Sequence, residues 1–257
     1  MTGGPGDLDN LAGLLERGDP DRFRALLAAP PTARPVLLPL YAFNLEVARA
    51  PWASAEPMIA EMRLQFWRDV LEEIAGGGEV RRHEVATPLA MVLDAEGARL
   101  LDPLVAARRW DCYREPFEGA DHFNRYIHDT YGRLIWVAAR ALGATEAGPV
   151  EDFGAAAGRA AFLLAVPDLL SRGRQPLAHT DDPAAIARDG QAVLARGRGA
   201  RGRIPRAARA ALLPGWRAPD ILARAAADPG RVTEGDLAEA EARKRLRLIL
   251  AALRGTI

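Results

Sequence analysis

Ser54-Ala-Glu-Pro-Met-Ile-Ala-Glu-Met-Arg-Leu-Gln-Phe-Trp-Arg-Asp-Val-Leu-Glu-Glu-Ile-Ala-Gly-Gly-Gly78 is the stretch on which the fold class turns. Ile59, Met62, Phe66, Val70 and Ile74 recur at three- and four-residue intervals, which places them on one face of an α-helix that Met58 and Trp67 widen. Ser54 is the expected N-cap, Glu56 and Pro57 suit the first turn, and the glycines from Gly76 onward stop the helix. Alternation of period two is nearly absent elsewhere, and apolar residues keep the helical interval from end to end. The fold is therefore expected to be all-α.

Working outward, Thr87-Pro88 reads as an N-cap followed by a proline in the first turn, opening a short helix through Leu93. Further helices are expected over Ala98 to Arg109, from about Asp121 to Leu142 with Gly143 closing it, and from beyond Thr145 to Arg172. In the last of these, the small residues from Gly154 to Gly158 allow a neighbouring helix to come close. Six prolines between Gly173 and Gly230 break the pattern into short pieces, and Arg196 to Arg206 reads as an irregular basic loop. Thr233 is the expected cap of a last helix that carries Leu237, Leu246, Ile249, Leu250 and Leu253 on its apolar side, packed on the core, and basic residues from Arg243 to Arg247. No repeat and no long biased linker divides the chain. One domain of about ten helices is expected over residues 1–257.

Charge bounds the function. The 34 cations balance 34 anions, which excludes a polycationic nucleic-acid coat as a description of the whole chain. The basic loop lacks interleaved aromatics, so no nucleic-acid partner is expected. Cys112 is alone and forms no internal disulfide. His83, His122, His128 and His179 include no pair at i, i+4, and capping or solvated roles are expected for them. The segment from Met1 to Asp9 has no signal-like pattern, and runs such as Ala160 to Val166 are far shorter than a bilayer span. The expected location is cytoplasmic, with peripheral contact at the inner membrane left open.

Three stretches together resemble the squalene/phytoene synthase family, which has the all-α isoprenoid-synthase fold. Leu40-Tyr-Ala-Phe-Asn-Leu-Glu46 is similar to its Leu-Tyr-Ala-Phe-Cys-Arg segment, and Arg63-Leu-Gln-Phe-Trp-Arg68 to its Arg-Leu-x-Trp-Trp-Arg helix. The third runs from Tyr126 through Gly132, then from Gly154 to Val166, and reaches Gly173-Arg174-Gln-Pro-Leu177. The resemblance implies that Phe23, Tyr41, Phe43, Asn44, Arg49, Arg63, Trp67, Tyr126 and Arg174 line or support the family's cavity, with Arg68 and Gly132 as retained scaffold.

Members of the family join two prenyl diphosphates between two aspartate-rich helices. Mg²⁺ there bridges carboxylates and phosphate oxygens and takes up the leaving-group charge. Carried over residue by residue, the first motif's arginine falls on Leu45 and its acidic places on Ala48, Arg49 and Trp52. The second motif falls on Gly158, Ala161, Leu164, Ala165 and Leu169. None is acidic, and Asp168 lies about 100° around the helix from Leu169. The resemblance therefore implies no catalytic residue, no metal ligand and no cofactor. It is similar to a non-catalytic branch whose mitochondrial members assemble respiratory complex I, where Ala42-Phe-Asn-Leu-Glu46 and Met62-Arg-Leu-Gln-Phe-Trp67 find their likeness. That branch implies complex I subunits or the membrane surface as partners. Two alternatives stand beside it: a prenyltransferase using Mg²⁺ on displaced ligands, and a carrier of isoprenoid lipid.

Among single residues, Asn44 and Glu46 read as a polar pair beside a packed helix and Arg49 as a solvated cation, although a cation at a ligand's place also suits an anionic head group. Glu61, Arg68 and Asp69 read as salt-bridging residues, and Tyr126, His128 and Asp129 as helix surface.

Overall fold

The computed structural model describes residues 5–257 except 55, 179, 181, 238 and 256, with side chains from Leu8 onward. His179 and the first four residues of the amino terminus lie outside the described residues. Thirteen α-helices and no strand occur among the described residues. They are α1 (Pro5–Gly18), α2 (Pro20–Ala28), α3 (Arg34–Arg49), α4 (Pro57–Gly76), α5 (Ala86–Val92), α6 (Ala95–Ala107), α7 (Ala120–Ile127), α8 (Arg133–Ala141), α9 (Ala147–Ser171), α10 (Pro183–Gly199), α11 (Ala218–Ala227), α12 (Gly230–Glu234) and α13 (Glu241–Arg254). The all-α expectation holds.

The long α9 is the central post, with α8, α10 and α11 packed around it, while α4 lies on α6 and α1 on α3. By length and composition α9 is long enough to cross a bilayer, which the count of uninterrupted apolar runs did not reveal. Its hydropathy comes from leucines, alanines, valines and phenylalanines that glycines, Arg159 and Asp168 interrupt. Val150, Phe153, Leu163 and Val166 on it are buried among its neighbours, as a core helix requires. The small residues act as expected. A Cβ on Gly154 would lie 2.8 Å from the Cα of Gly132, so backbone rests on backbone there, and one on Gly158 would lie 2.8 Å from the Tyr131 side chain. Gly132 closes a π turn, His128–Gly132, which joins α7 to α8 inside the expected single helix.

Several boundaries differ from the sequence reading. Helix α4 is capped at Glu56, with Ser54 Oγ accepting from the Glu56 N–H, and Gly77 at φ 67° ends it. Its buried face is Ala60, Leu64, Trp67, Val70, Leu71 and Ile74, whereas Met58, Ile59 and Met62 are exposed. Taking the bulkiest residues as the inner face rotated that end of the helix outward. Before α5, His83 Nδ1 accepts from the backbone of Val85 and Ala86, while Thr87 Oγ1 accepts from the His83 N–H; histidine is the cap and Thr87 already lies inside the helix. Asp94 caps α6 through the Gly97 N–H, three residues earlier than expected. The basic loop is helical up to Gly199. Two of its arginines form surface ion pairs, Arg196 with Asp152 at 2.8 Å and Arg203 with Glu146, while Arg198 and Arg201 donate to main-chain oxygens of Ile257 and Arg254. Thr233 caps nothing: it sits in α12, which Gly235 closes at φ 76°, and the last helix begins at Glu241. That last helix does not bury its apolar side, since Leu246, Ile249, Leu250 and Leu253 are all exposed.

Candidate functional site

Helix α3 carries the first motif and α9 the second. Leu37 to Leu45 of α3 are buried, so Tyr41, Phe43 and Asn44 belong to the core. Tyr41 donates its hydroxyl to the Ala211 carbonyl at 3.4 Å and lies 5.3 Å under the guanidinium of Arg22. Phe43 meets Trp67 of α4 edge to face at 5.4 Å, and Trp67 meets His83 at 5.2 Å. Phe23 of α2 packs half-buried against the same core.

At the outer end of α3 a shallow groove of about 250 Å³ brings together Glu46, Arg49, Arg63, Phe66, Trp67 and His83. Arg49 and Arg63 are exposed at its rim. A Cβ on Gly18 would come within 2.4 Å of Arg49 Nη2, so the guanidinium lies against the last residue of α1. A cation there complements the carboxyl end of that helix. Arg49 thus has a structural reason to be basic.

Tyr126 and Arg174 meet elsewhere, around the turn at 108–112. The Tyr126 hydroxyl donates to Asp111 Oδ2 at 3.0 Å, and Arg108 Nη1 donates to the same carboxylate at 3.0 Å and to Tyr126 Oη at 2.7 Å. Tyr126 is 6% exposed, so it is not the helix-surface residue its neighbours suggested. Burial and the adjoining carboxylate push its phenol well above the usual range. Arg174 donates to the carbonyls of Asp111 at 2.5 Å and Trp110 at 3.2 Å, and it lies over the rings of Trp110 and Trp52. Arg172 lies 4.8 Å from the Trp52 ring as well. Burial lowers the affinity of Arg174 for its proton, and among the described residues no carboxylate side chain is bonded to it. Sequence reasoning missed Asp111 altogether; nothing in its spacing distinguishes it from the exposed acids nearby.

The places on α9 complete the picture. Ala161 and Leu164 line a cavity of about 200 Å³ together with Arg22, Asp19, Asp21 and Arg217. Arg22 pairs with Asp19 at 2.9 Å and Arg217 with Asp21 at 2.5 Å, so the cavity is internally neutral. Leu169 is buried, and Ala165 packs against the core. Among the described residues no group of three or more histidines, cysteines or carboxylates is gathered as a metal site.

The squalene/phytoene synthase profile matches residues 15–181, well over half of the chain. The chain belongs to the squalene/phytoene synthase family. A dehydrosqualene synthase solved with a ligand superposes with a TM-score of 0.77 over 97% of both chains at 13% identity. Squalene synthase HpnC from Alicyclobacillus acidocaldarius superposes at 0.71 over 86% of this chain and 93% of its own, at 18% identity. At such identities the likeness shows the shared fold. In sequence, this squalene/phytoene synthase relative is 28% identical over 174 residues to the NADH dehydrogenase (ubiquinone) complex I assembly factor 6 homolog of Drosophila melanogaster. The match covers 63% of this chain and 51% of that protein, so the chain spans about half the length of the curated relative it matches.

The polar residues on α4 are tied into the scaffold. Glu61 accepts from Arg109 at 2.8 Å and from the Tyr113 hydroxyl at 2.9 Å, and Arg68 pairs with Asp102 at 2.7 Å. Salt bridging was the role expected of them. Cys112 has its thiol pushed up to about 11 by burial and by the nearby Asp111, which leaves it a poor nucleophile at neutral pH.

His128 in the π turn is bonded to Asp129 at 3.2 Å and lies 3.5 Å from Glu151 of α9. These two carboxylates raise its pKa to about 9 from the ordinary 6.5. A histidine whose folded pKa is raised stabilises the fold fully below the unfolded value, and that contribution is lost as pH rises through the folded value. The π turn should therefore loosen between pH 6.5 and about 9. An NMR titration of the His128 ring is expected to show a midpoint near 9, falling towards the ordinary value in Glu151→Gln. A midpoint near 6.5 in the unaltered chain would contradict the ion pairs.

Proposed function

We propose that this chain is a non-catalytic member of its family that works by binding, as an assembly factor for respiratory complex I. The observation that carries the proposal is what occupies the family's metal-binding places. Trp52 is packed against two arginines, Arg49 lies on the end of α1, and Leu164 fills the wall of a 200 Å³ cavity. Ligand pockets usually run from about 300 to 1,000 Å³, and this one holds no carboxylate that is not already bonded to arginine. The donor set does not suit Mg²⁺ with diphosphate, which needs free oxygen ligands. The likeness to the Drosophila assembly factor homolog supplies the process.

Two measurements test the two halves. Purified protein incubated with farnesyl or geranylgeranyl diphosphate and Mg²⁺ is expected to release no pyrophosphate. Release that a chelator abolishes would overturn the non-catalytic reading in favour of the prenyltransferase. Deleting the chain from its own cell is expected to lower the amount of fully assembled complex I; an unchanged amount would remove the assembly role. The small cavity also argues against a carrier, for which tight binding of a prenyl alcohol without turnover would be the sign.

A further inference from the structure

Helix α13 presents its apolar stripe to the outside. Leu246, Ile249, Leu250 and Leu253 follow one another at i, i+3, i+4 and i+7, and are 58%, 56%, 37% and 79% exposed. Only Ala251 of this helix is buried. An exposed stripe of this length on one helix calls for a reason. The helix is not loosely held. Arg247 Nη2 donates to Asp220 Oδ1 of α11 at 2.9 Å and forms an ion pair with Glu239 at 3.1 Å, and Glu241 lies 3.8 Å from Arg24 of α2.

Beside the stripe runs a groove of about 590 Å³ lined by five arginines, Arg198, Arg201, Arg243, Arg247 and Arg254, and, among the described residues, by no aspartate or glutamate. Arg201 donates to the Arg254 carbonyl at 2.6 Å and Arg198 to a main-chain oxygen of Ile257 at 2.9 Å, which fixes both guanidinium groups at the groove. Arg243 and Arg254 form no ion pair through their side chains among the described residues. Trp216, 1% exposed, contributes an apolar wall, and Leu246 and Leu250 join the groove to the outward stripe. Cations thus lie next to hydrocarbon along one side of one helix.

The geometry points to the α13 face as a docking surface for an anionic phospholipid bilayer, with lipid phosphates held in the arginine groove and the leucine and isoleucine side chains entering the acyl region. Guanidinium groups bond phosphate oxygens in pairs and tolerate partial dehydration, as a head-group site requires. A helix with one apolar face and a basic flank lies in the interface plane in this way. A second copy of the chain is a poor occupant, because pairing two such faces brings arginine against arginine. The inference does not depend on the assembly role proposed above.

The test is co-sedimentation of the full chain with phosphatidylcholine vesicles made with and without phosphatidylglycerol. Binding is expected only to the anionic vesicles and is expected to weaken as salt is raised. Each cation near such a surface contributes about a fivefold change in partition, so Arg243→Gln with Arg254→Gln should weaken binding by roughly twentyfold or more. Leu253→Ser is expected to weaken it by about tenfold. All three positions are exposed, so thermal melting should be unchanged in the variants. Equal binding to neutral vesicles, no vesicle binding, or binding undiminished in the arginine pair would each overturn the inference. So would saturation of the groove by soluble glycerol phosphate with no attachment to vesicles, which would make it a site for a free anion. Dimerisation abolished by Leu253→Ser would instead assign the stripe to a second copy and overturn it too.

Discussion

Asp111→Ala is expected to lower the free energy of unfolding by about 3–5 kcal/mol, the usual result of leaving a buried cation without its partner. The Asp111 side chain is 4% exposed and Arg108 only 12%. The carboxylate accepts both from Arg108 and from the Tyr126 hydroxyl, and the Nε of Arg108 already lacks a partner. Removing the carboxylate leaves the buried Arg108 charge without its counter-ion and the Tyr126 hydroxyl proton without its acceptor, with only the Arg108–Tyr126 hydrogen bond remaining between them. For a chain of this size each kcal/mol lowers Tm by about 2–4 °C, so a fall of roughly 6–20 °C is expected in a melting experiment. A double variant, Arg108→Met with Asp111→Leu, is expected to recover much of the loss, because an apolar pair replaces a buried ion pair at little net cost. A single-variant melt within 1–2 °C of the parent would show that water reaches this turn.

Trp67→Ala is expected to cost about 3–5 kcal/mol as well, through a different mechanism. Trp67 is 4% exposed and holds Phe43 at 5.4 Å, Phe66 at 5.1 Å and His83 at 5.2 Å, all near perpendicular. It joins α3, α4 and the turn whose histidine caps α5. Truncation removes those edge-to-face contacts and leaves a cavity beneath the groove at Arg49 and Arg63. Trp67→Phe, which keeps an aromatic ring, should cost much less. Chemical denaturation read by far-ultraviolet circular dichroism checks the order of the three proteins. Equal midpoints for the alanine and phenylalanine variants would mean that the site collapses without penalty.

Much of the architecture was legible because helical periodicity and terminating glycines are local signals. Gly77 and Gly143 adopt positive φ where the expected helices stop, whereas Gly235 does so within the helix expected from Thr233. The glycines at 154 and 158 also announced close packing before any contact was known. Faces were harder to read. At the start of α4 and along α13, large apolar residues point outward, and periodicity gives the width of a stripe without saying which way it faces. The motif residues were legible as a set but not as a place: Arg49, Arg63 and Trp67 gather at one groove, while Tyr126 and Arg174 gather at the 108–112 turn. Asp111 was invisible because its role depends on Arg108 folding back beside it and on Tyr126, fifteen residues further along the chain.

The packing of Trp52 against Arg172 and Arg174 bears on what a single substitution could do there. An aspartate placed at position 52 would arrive beside two guanidinium groups, one paired with Asp168 and one bonded to the 108–112 turn, and would be drawn to them before any cation met it. Such a change would add an ion pair rather than a metal centre. A carboxylate free to hold a cation at this place would require removing the arginines first.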